Sequence, residues 1–370
     1  MHRILQTEYN TPTPNPLGRR MNEIKVTAEP LAAFCAACFQ KLGLPPEAAR
    51  LTAENLLFAN RRGVDSHGVI RMKIYAERLR AGGFNGNAQP QVVGEQDSAA
   101  LIDARHGVGQ VAAMAAMKLA IAKAEKTGVA MVSVKNSNHF GATAFYASQA
   151  VEHGMIGFAA TNAGPTMAPT GGREGRLGNN AFAIAVPAGK HPPIVLDMAT
   201  GAAAWGKIFL ARQEKRKIPI TWALDKNGSP TDDPNAAADR GLMQPFGGYK
   251  GYGLSLLIDI LTGVLSGGAF ATRVRTLYQH LELPSQVAHL CAAVRIDAFM
   301  PLAEFRQRVD QIIELMRSCP TAPGVERIFV PGQIEYETEQ RRAAEGIPLN
   351  GELREELRTL GAELEVKPPF

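Results

Sequence analysis

The chain has 370 residues, enough for two domains or one domain with a large insertion, and its 45% apolar and 20% charged composition is globular. No apolar run reaches the roughly 18 residues of a membrane span. The net charge of +5, with a sequence pI ≈ 9.0, comes without any long Lys/Arg block, so neither nucleic acid nor membrane is an expected partner, while a small anionic substrate suits the balance.

Residues 1–23 hold three prolines and many polar residues but no long apolar core. They predict a mobile tail, not a signal peptide, with Met21 as an alternative start. Helical apolar spacing follows over 28–42 and 46–62, with Gly43 and Gly63 at the expected helix ends, and a third helix is predicted over 69–81. The texture then changes. AALIDA, GVAMVSV, GMIGFAAT, AFAIAVP and PIVLDM are short apolar runs bounded by Gly, Pro and Asn, and they predict strands. Helices are expected over 108–127 and 141–153. A strongly apolar helix is expected over 251–266, a strand near 288–296, and helices over 301–317 and 335–345. The chain thus predicts an α/β (α+β) fold, with residues 24–97 and 240–370 forming a mainly helical part around an α/β block over 98–239. Cys35 and Cys38 lie inside a predicted helix and read as core residues; free thiols fit a reducing cytoplasm.

GVGQVA, Gly107 to Ala112, matches a Rossmann glycine turn after a short strand. Such a site also needs an acidic residue about 20 positions on, at the end of the next strand. That strand ends at Lys135 instead, so a nucleotide is expected to bind elsewhere.

Four stretches carry candidate chemistry. VDSHGVIR places Ser66 and His67 after a helix end, with Arg71 one helical turn beyond. KNSNHFG sets His139 among asparagines at the mouth of a strand. PIVLDMATG ends a strand in Asp197, which could alternatively cap the next helix. PFGGYKGYG puts Lys250 among glycines at the start of the apolar helix. The set is complementary: two imidazoles able to exchange protons near neutral pH, a carboxylate, and cations for an anionic substrate or phosphate. No metal-ligand spacing accompanies them.

GVDSHGVIR, NSNHFGA, TNAGPTMAPTGG, LGNNAFAIAVP, LDMATG, AWGKI and GGYKGYGLSLLIDILTGVLSG, in this order, resemble the malate/L-lactate dehydrogenase family of the non-Rossmann type. That family includes type 2 malate and lactate, sulfolactate and ureidoglycolate dehydrogenases and the piperideine/pyrroline carboxylate reductases. AWGKI and IPITWALDKNGSPTDDP are similar to ureidoglycolate dehydrogenases in particular. The resemblance implies a largely antiparallel central sheet, a homodimer, and NAD or NADP as cofactor. It also implies roles. His139 would be the acid/base, Ser66, His67 and Asp197 would orient substrate or relay a proton, and Arg71 would hold the substrate carboxylate. Asp197, Met198, Ala199, Ala163, Gly178, Asn179 and Lys250 would contact the cofactor. GNNA (Gly178–Ala181) stands where the family usually has GTNP, and Gly201 where it has Ser or Thr, which leaves NAD or NADP open. The expected activity is oxidation of a small 2-hydroxy acid. The alternative is reduction of a cyclic imino acid with His67 as main proton donor.

Overall fold

The computed structural model describes residues 23–370; Met21 and all of the expected tail but Glu23 lie outside the described residues. β1 (Ile24–Val26) leads into α1 (Ala28–Lys41) and α2 (Pro46–Arg61). Two 3-10 turns, Asp65–His67 and Val69–Arg71, precede α3 (Met72–Ala81). Then come β2 (Gln91–Glu95), β3 (Ala99–Asp103), α4 (Gly109–Thr127), β4 (Val129–Ser137), α5 (Ala144–Glu152), β5 (Met155–Thr161), β6 (Ala181–Val186), β7 (Ile194–Met198) and α6 (Trp205–Gln213). A small sheet of β8 (Ala223–Leu224), β9 (Pro230–Thr231) and β10 (Leu242–Met243) carries α7 (Pro234–Ala238). α8 (Tyr249–Asp259) runs into a π-helical turn, Ile260–Val264. The chain ends in β11 (Val287–Arg295), α9 (Leu302–Arg317), α10 (Gln333–Glu345), β12 (Ile347–Leu349) and α11 (Gly351–Leu364).

Seven strands form the central sheet in the order β2-β3-β4-β11-β5-β6-β7. Among the described residues every pairing in it is antiparallel except β3 with β4, which enclose α4. The expected antiparallel, non-Rossmann sheet is what forms. β11 is buried along most of its length, and a strand covered on both faces reads as a continuous apolar run. It comes from the stretch assigned by sequence to the helical part, so the block over 98–239 does not enclose the whole sheet. α4 and α5 cover one face with Met114, Met117, Ile121 and Tyr146 against Val132 and Val134. α8 covers part of the other through Ile258, beside Phe182 and Leu290.

The helical layer joins both chain ends. β1 pairs with β12, Ile24 opposite Leu349 and Val26 opposite Ile347. α1 buries Leu31, Phe34, Cys35, Cys38 and Phe39, the i, i+3, i+4, i+7, i+8 stripe of an amphipathic helix. Its two cysteines are core groups; burial pushes the Cys38 thiol up to about 12 and Cys35 higher still.

Two helices start later than their periodicity predicts. The stretch at 69–81 becomes α-helical only at Met72, because Gly68 is extended and Asn60 Oδ1 accepts from Val69 N at 2.8 Å. A Cβ on residue 68 would lie 2.2 Å from that oxygen. The stretch at 141–153 begins at Ala144, because Gly141 has φ +77 and packs against Asn55.

Candidate active site

The site grows from two loops that meet over α3. Asp65 anchors the first: Arg342 of α10 binds its two carboxylate oxygens at 2.6 and 2.8 Å, and Asn60 Nδ2 donates to it at 2.6 Å. The next two residues thereby come to line the cavity described below, Ser66 Oγ lying 3.0 Å from His67 Nδ1. The second loop is KNSNHFG. Asn136 has φ +53, a left-handed conformation that asparagine tolerates better than most residues. Asn138 is buried; its amide donates to the His106 and Gly107 carbonyls at 2.8 and 2.9 Å, and its Oδ1 accepts from Ser285 N at 2.8 Å. The asparagines thus fix the backbone that leads into His139.

His139 stacks on His67, ring centroids 5.7 Å apart and planes 15° from parallel. Its Nδ1 lies 2.6 Å from the hydroxyl of Tyr75, one turn beyond Arg71, and Gln110 Nε2 lies 3.1 Å from the same hydroxyl. Nε2 is then the ring nitrogen available to a ligand. Burial lowers the pKa of His139 well below the usual range, with the charges of Arg71, His67 and His289 adding to the effect. Burial, then Arg71, takes His67 down to about 4. Neither imidazole therefore titrates near neutrality, in contrast to the expectation from residue type. Arg71 sits with its Nε buried and unpartnered, its guanidinium 5.7 Å from the Tyr278 ring centre.

Asp197 does not cap the helix after its own strand. Its Oδ2 accepts from Ala144 N at 2.9 Å, the first amide of α5. It is open to the cavity yet walled by protein, and this desolvation raises its pKa to about 6 against the opposing pull of that amide and of Arg62.

One cavity of ≈ 1570 Å³ brings together Ser66, His67, Arg71, His139 and Asp197, with Ala163, Asn179, Met198 and Ala199 along its wall. That exceeds the roughly 300–1,000 Å³ of an ordinary small-ligand pocket and suits a dinucleotide beside a small acid. One group of the wall fits such a ligand: Thr166 Oγ1 is buried with no hydrogen-bond partner among the described residues. Gly178 lies behind this wall, where a Cβ would stand 2.3 Å from the Ala163 carbonyl oxygen. Lys250 is exposed on α8 and does not line the cavity. The glycine turn Gly107–Ala112 has no room for a pyrophosphate, since a Cβ on Gly109 would already lie 2.3 and 2.5 Å from the carbonyl oxygens of Asn138 and His139. Among the described residues no His, Cys, Asp or Glu group is arranged to hold a metal ion.

Sequence reading missed Tyr75 and Gln110. Tyr75 had a signal, its i+4 spacing from Arg71 on a helix face; Gln110 had none beyond its place in the glycine turn.

The malate/L-lactate dehydrogenase family model matches residues 26–358. Malate dehydrogenase of Pyrococcus horikoshii is 40% identical over 353 residues, covering 94% of this chain and 97% of that protein. Ureidoglycolate dehydrogenase (NAD(+)) of Escherichia coli O157:H7 is 34% identical over 350 residues, covering 94% and 99%. The solved sulfolactate dehydrogenase of Methanocaldococcus jannaschii matches with a TM-score of 0.88 at 36% identity, covering 93% of this chain and 98% of that one. Sequence motifs, sheet topology and these likenesses agree, and the chain belongs to the malate/L-lactate dehydrogenase family.

Proposed function

We propose that this cavity oxidises a small 2-hydroxy acid of the malate, lactate or ureidoglycolate type, and reduces the matching 2-oxo acid, with NAD or NADP. The observation that carries this reading is the pairing, in one cavity, of a partner-free Arg71 Nε with a His139 ring whose Nε2 is left for a ligand. A guanidinium presents a planar fork to a carboxylate. The nicotinamide, when bound, supplies the hydride acceptor or donor. Arg71 holds the acid by its carboxylate, and His139 Nε2 takes the hydroxyl proton or returns it to the forming alkoxide. His67, stacked on His139, excludes water from one face of the ring; Ser66 keeps His67 oriented. Ala163, Asn179, Asp197, Met198 and Ala199 form the wall assigned to the cofactor, on the α/β unit over 98–239 as completed by β2 and β11, and Gly178 supports it from behind. Lys250 would reach a bound cofactor only by swinging in from the surface.

A homodimer belongs to the same proposal. Leu257, Ile260, Leu261, Val264 and Leu265 lie exposed along α8 and the turns that follow it, and apolar surface of that extent marks an interaction face. No helix among the described residues is long and apolar enough to cross a membrane, and a cytoplasmic place remains the reading from the free cysteines.

The test is a rate survey of malate, lactate, ureidoglycolate and sulfolactate with each cofactor, followed by nicotinamide absorbance, and of piperideine-2-carboxylate with each reduced cofactor. Turnover of at least one hydroxy acid is expected. Reduction of the cyclic imine with no turnover of any hydroxy acid overturns the reading in favour of an imino acid reductase.

A further inference from the structure

The glycine turn that cannot seat a nucleotide leads directly to His139. Because Gly109 has no side chain, the first turn of α4 packs against the backbone of Asn138 and His139. That contact carries Gln110, wholly buried, to the hydroxyl of Tyr75. Tyr75 in turn touches His139 Nδ1 at 2.6 Å. Gln110 Oε1 is buried and has no hydrogen-bond partner among the described residues.

We infer that Gln110 is a positioning residue that sets, through Tyr75, which ring nitrogen of His139 carries the proton; this rests on the acid/base role proposed for His139. A phenol has one proton to give. Gln110 Nε2–H donates to the Tyr75 oxygen, so the Tyr75 proton goes to His139 Nδ1. The backbone N–H of Gly141 also donates to Nδ1, at 3.3 Å. Two donors converge on that nitrogen, which is therefore bare, and the neutral ring carries its proton on Nε2. This setting offers an N–H to the carbonyl oxygen of a 2-oxo acid. Taking a proton from a hydroxy acid needs the reverse: Nε2 bare and Nδ1 protonated. Nδ1–H then donates to the Tyr75 oxygen, and the Tyr75 proton turns to an acceptor behind it. Gln110 Oε1 becomes that acceptor after a half-turn of the amide. Each setting leaves one amide atom without a partner, so the amide's own count favours neither, and the Gly141 N–H tips the balance toward Nε2–H. A glutamine suits this position because its amide offers a donor and an acceptor that a half-turn exchanges.

The experiment is nitrogen-15 NMR of imidazole-labelled protein, with the His139 signals assigned by their loss in His139→Asn, together with kcat/KM in both directions. The wild type is expected to show the Nε2–H pattern throughout its neutral range; an Nδ1–H pattern there overturns the inference without need of any variant. In Gln110→Glu, a carboxyl that loses its proton becomes a pure acceptor. The His139 signal should then cross from Nε2–H to Nδ1–H as pH rises, a crossing absent from the wild type. Gln110→Met removes the acceptor and should lock Nε2–H. Both variants should lose on the order of 10- to 100-fold in kcat/KM, by the same factor in each direction because the overall equilibrium is fixed. Identical tautomer patterns in wild type and Gln110→Glu at every pH overturn the inference. A changed pattern with unchanged rates upholds the Gln110 coupling and refutes the acid/base role of His139, so the two failures are told apart.

Discussion

Arg71 is the residue proposed to receive the substrate carboxylate. Its guanidinium lies over the Tyr278 ring, and desolvation lowers its pKa, yet no carboxylate among the described residues answers its Nε. Arg71→Lys keeps a cation but loses the fork. Charge-assisted hydrogen bonds of about 1–3 kcal/mol are at stake, so KM for carboxylate substrates should rise roughly 5- to 150-fold. Steady-state kinetics on the best substrate checks this, and an unchanged KM would remove Arg71 from the substrate site. Ser66, His67, Arg71, His139 and Asp197, which share the cavity, were all legible as candidates in the sequence, because each stands in a short motif whose residue types have few other uses together. Tyr75 offered only its i+4 spacing from Arg71, and Gln110 nothing beyond the glycine turn. Their contacts with the site are bonds across 64 and 35 positions of sequence, which no local pattern records. The titration of the site was illegible for a related reason: burial, not residue type, makes the carboxyl of Asp197 the group that titrates nearest neutrality, at about 6, in place of either histidine.

Most elements with a periodic apolar face were read within a few residues, but α11 was not, although Leu353, Leu357, Leu360 and Leu364 repeat along its buried side. Several elements without such a face were missed as well. β2 is exposed at every position and carries a register shift between Val92 and Gly94, so it offers no alternation. α6 leaves Phe209 and Leu210 exposed while burying Ile208 and Ala211, a face too narrow to stand out. β1 and β12 are three residues each and exist through one another. The segment that positions Ser66 and His67 depends on an equally remote element. α10 lends Arg342, which grips Asp65 and also donates to the Asn60 carbonyl. Asp65 is 49% exposed, so the ion pair itself should contribute about 1 kcal/mol or less to stability. Its effect on placement is larger. Arg342→Ala should lower kcat about tenfold, the scale of a small displacement of catalytic groups, with cofactor affinity nearly unchanged. Arg342→Lys should recover part of the loss. A thermal melt measured beside the kinetics separates placement from unfolding: a fall in kcat only in step with lost folded protein would refute the positioning role.

At the scale of the molecule, three histidines are held neutral in one region. His289 lies buried in the middle of the sheet, between Ser137 Oγ at 2.8 Å and Thr161 Oγ1 at 2.9 Å, and its ring stacks on Phe140 beside His139. Burial takes it down to about 3, against the opposing effect of nearby backbone hydrogen bonds. In the unfolded chain these rings would bind protons near pH 6.5. Between that pH and the folded values the unfolded state binds more protons, so stability falls as the solution is acidified from about 6.5 toward 3. Asp197 acts in the opposite sense, since the folded chain keeps a proton that the unfolded one releases between about 4 and 6. One partly solvated carboxyl is outweighed by three imidazoles. His289→Gln keeps a donor and an acceptor but does not titrate, so its melting temperature should fall less than that of the wild type between about pH 7 and 4. Parallel curves for the two proteins would assign the acid sensitivity elsewhere.

The position of β11 also governs the order in which the molecule can be made. Its partners β4 and β5 leave the ribosome more than a hundred residues ahead of it; His289 lies 152 positions after Ser137 and 128 after Thr161. Both are antiparallel to β11 and so parallel to each other, and α5 connects them. Those are the components of a direct βαβ pairing, which would join two strands that the finished sheet keeps apart. A nascent chain therefore carries either two bare strand edges or a shortcut that the late strand must displace. The fold is decided only once residue 295 has emerged, and a chain cut short of it has a self-consistent wrong sheet within reach.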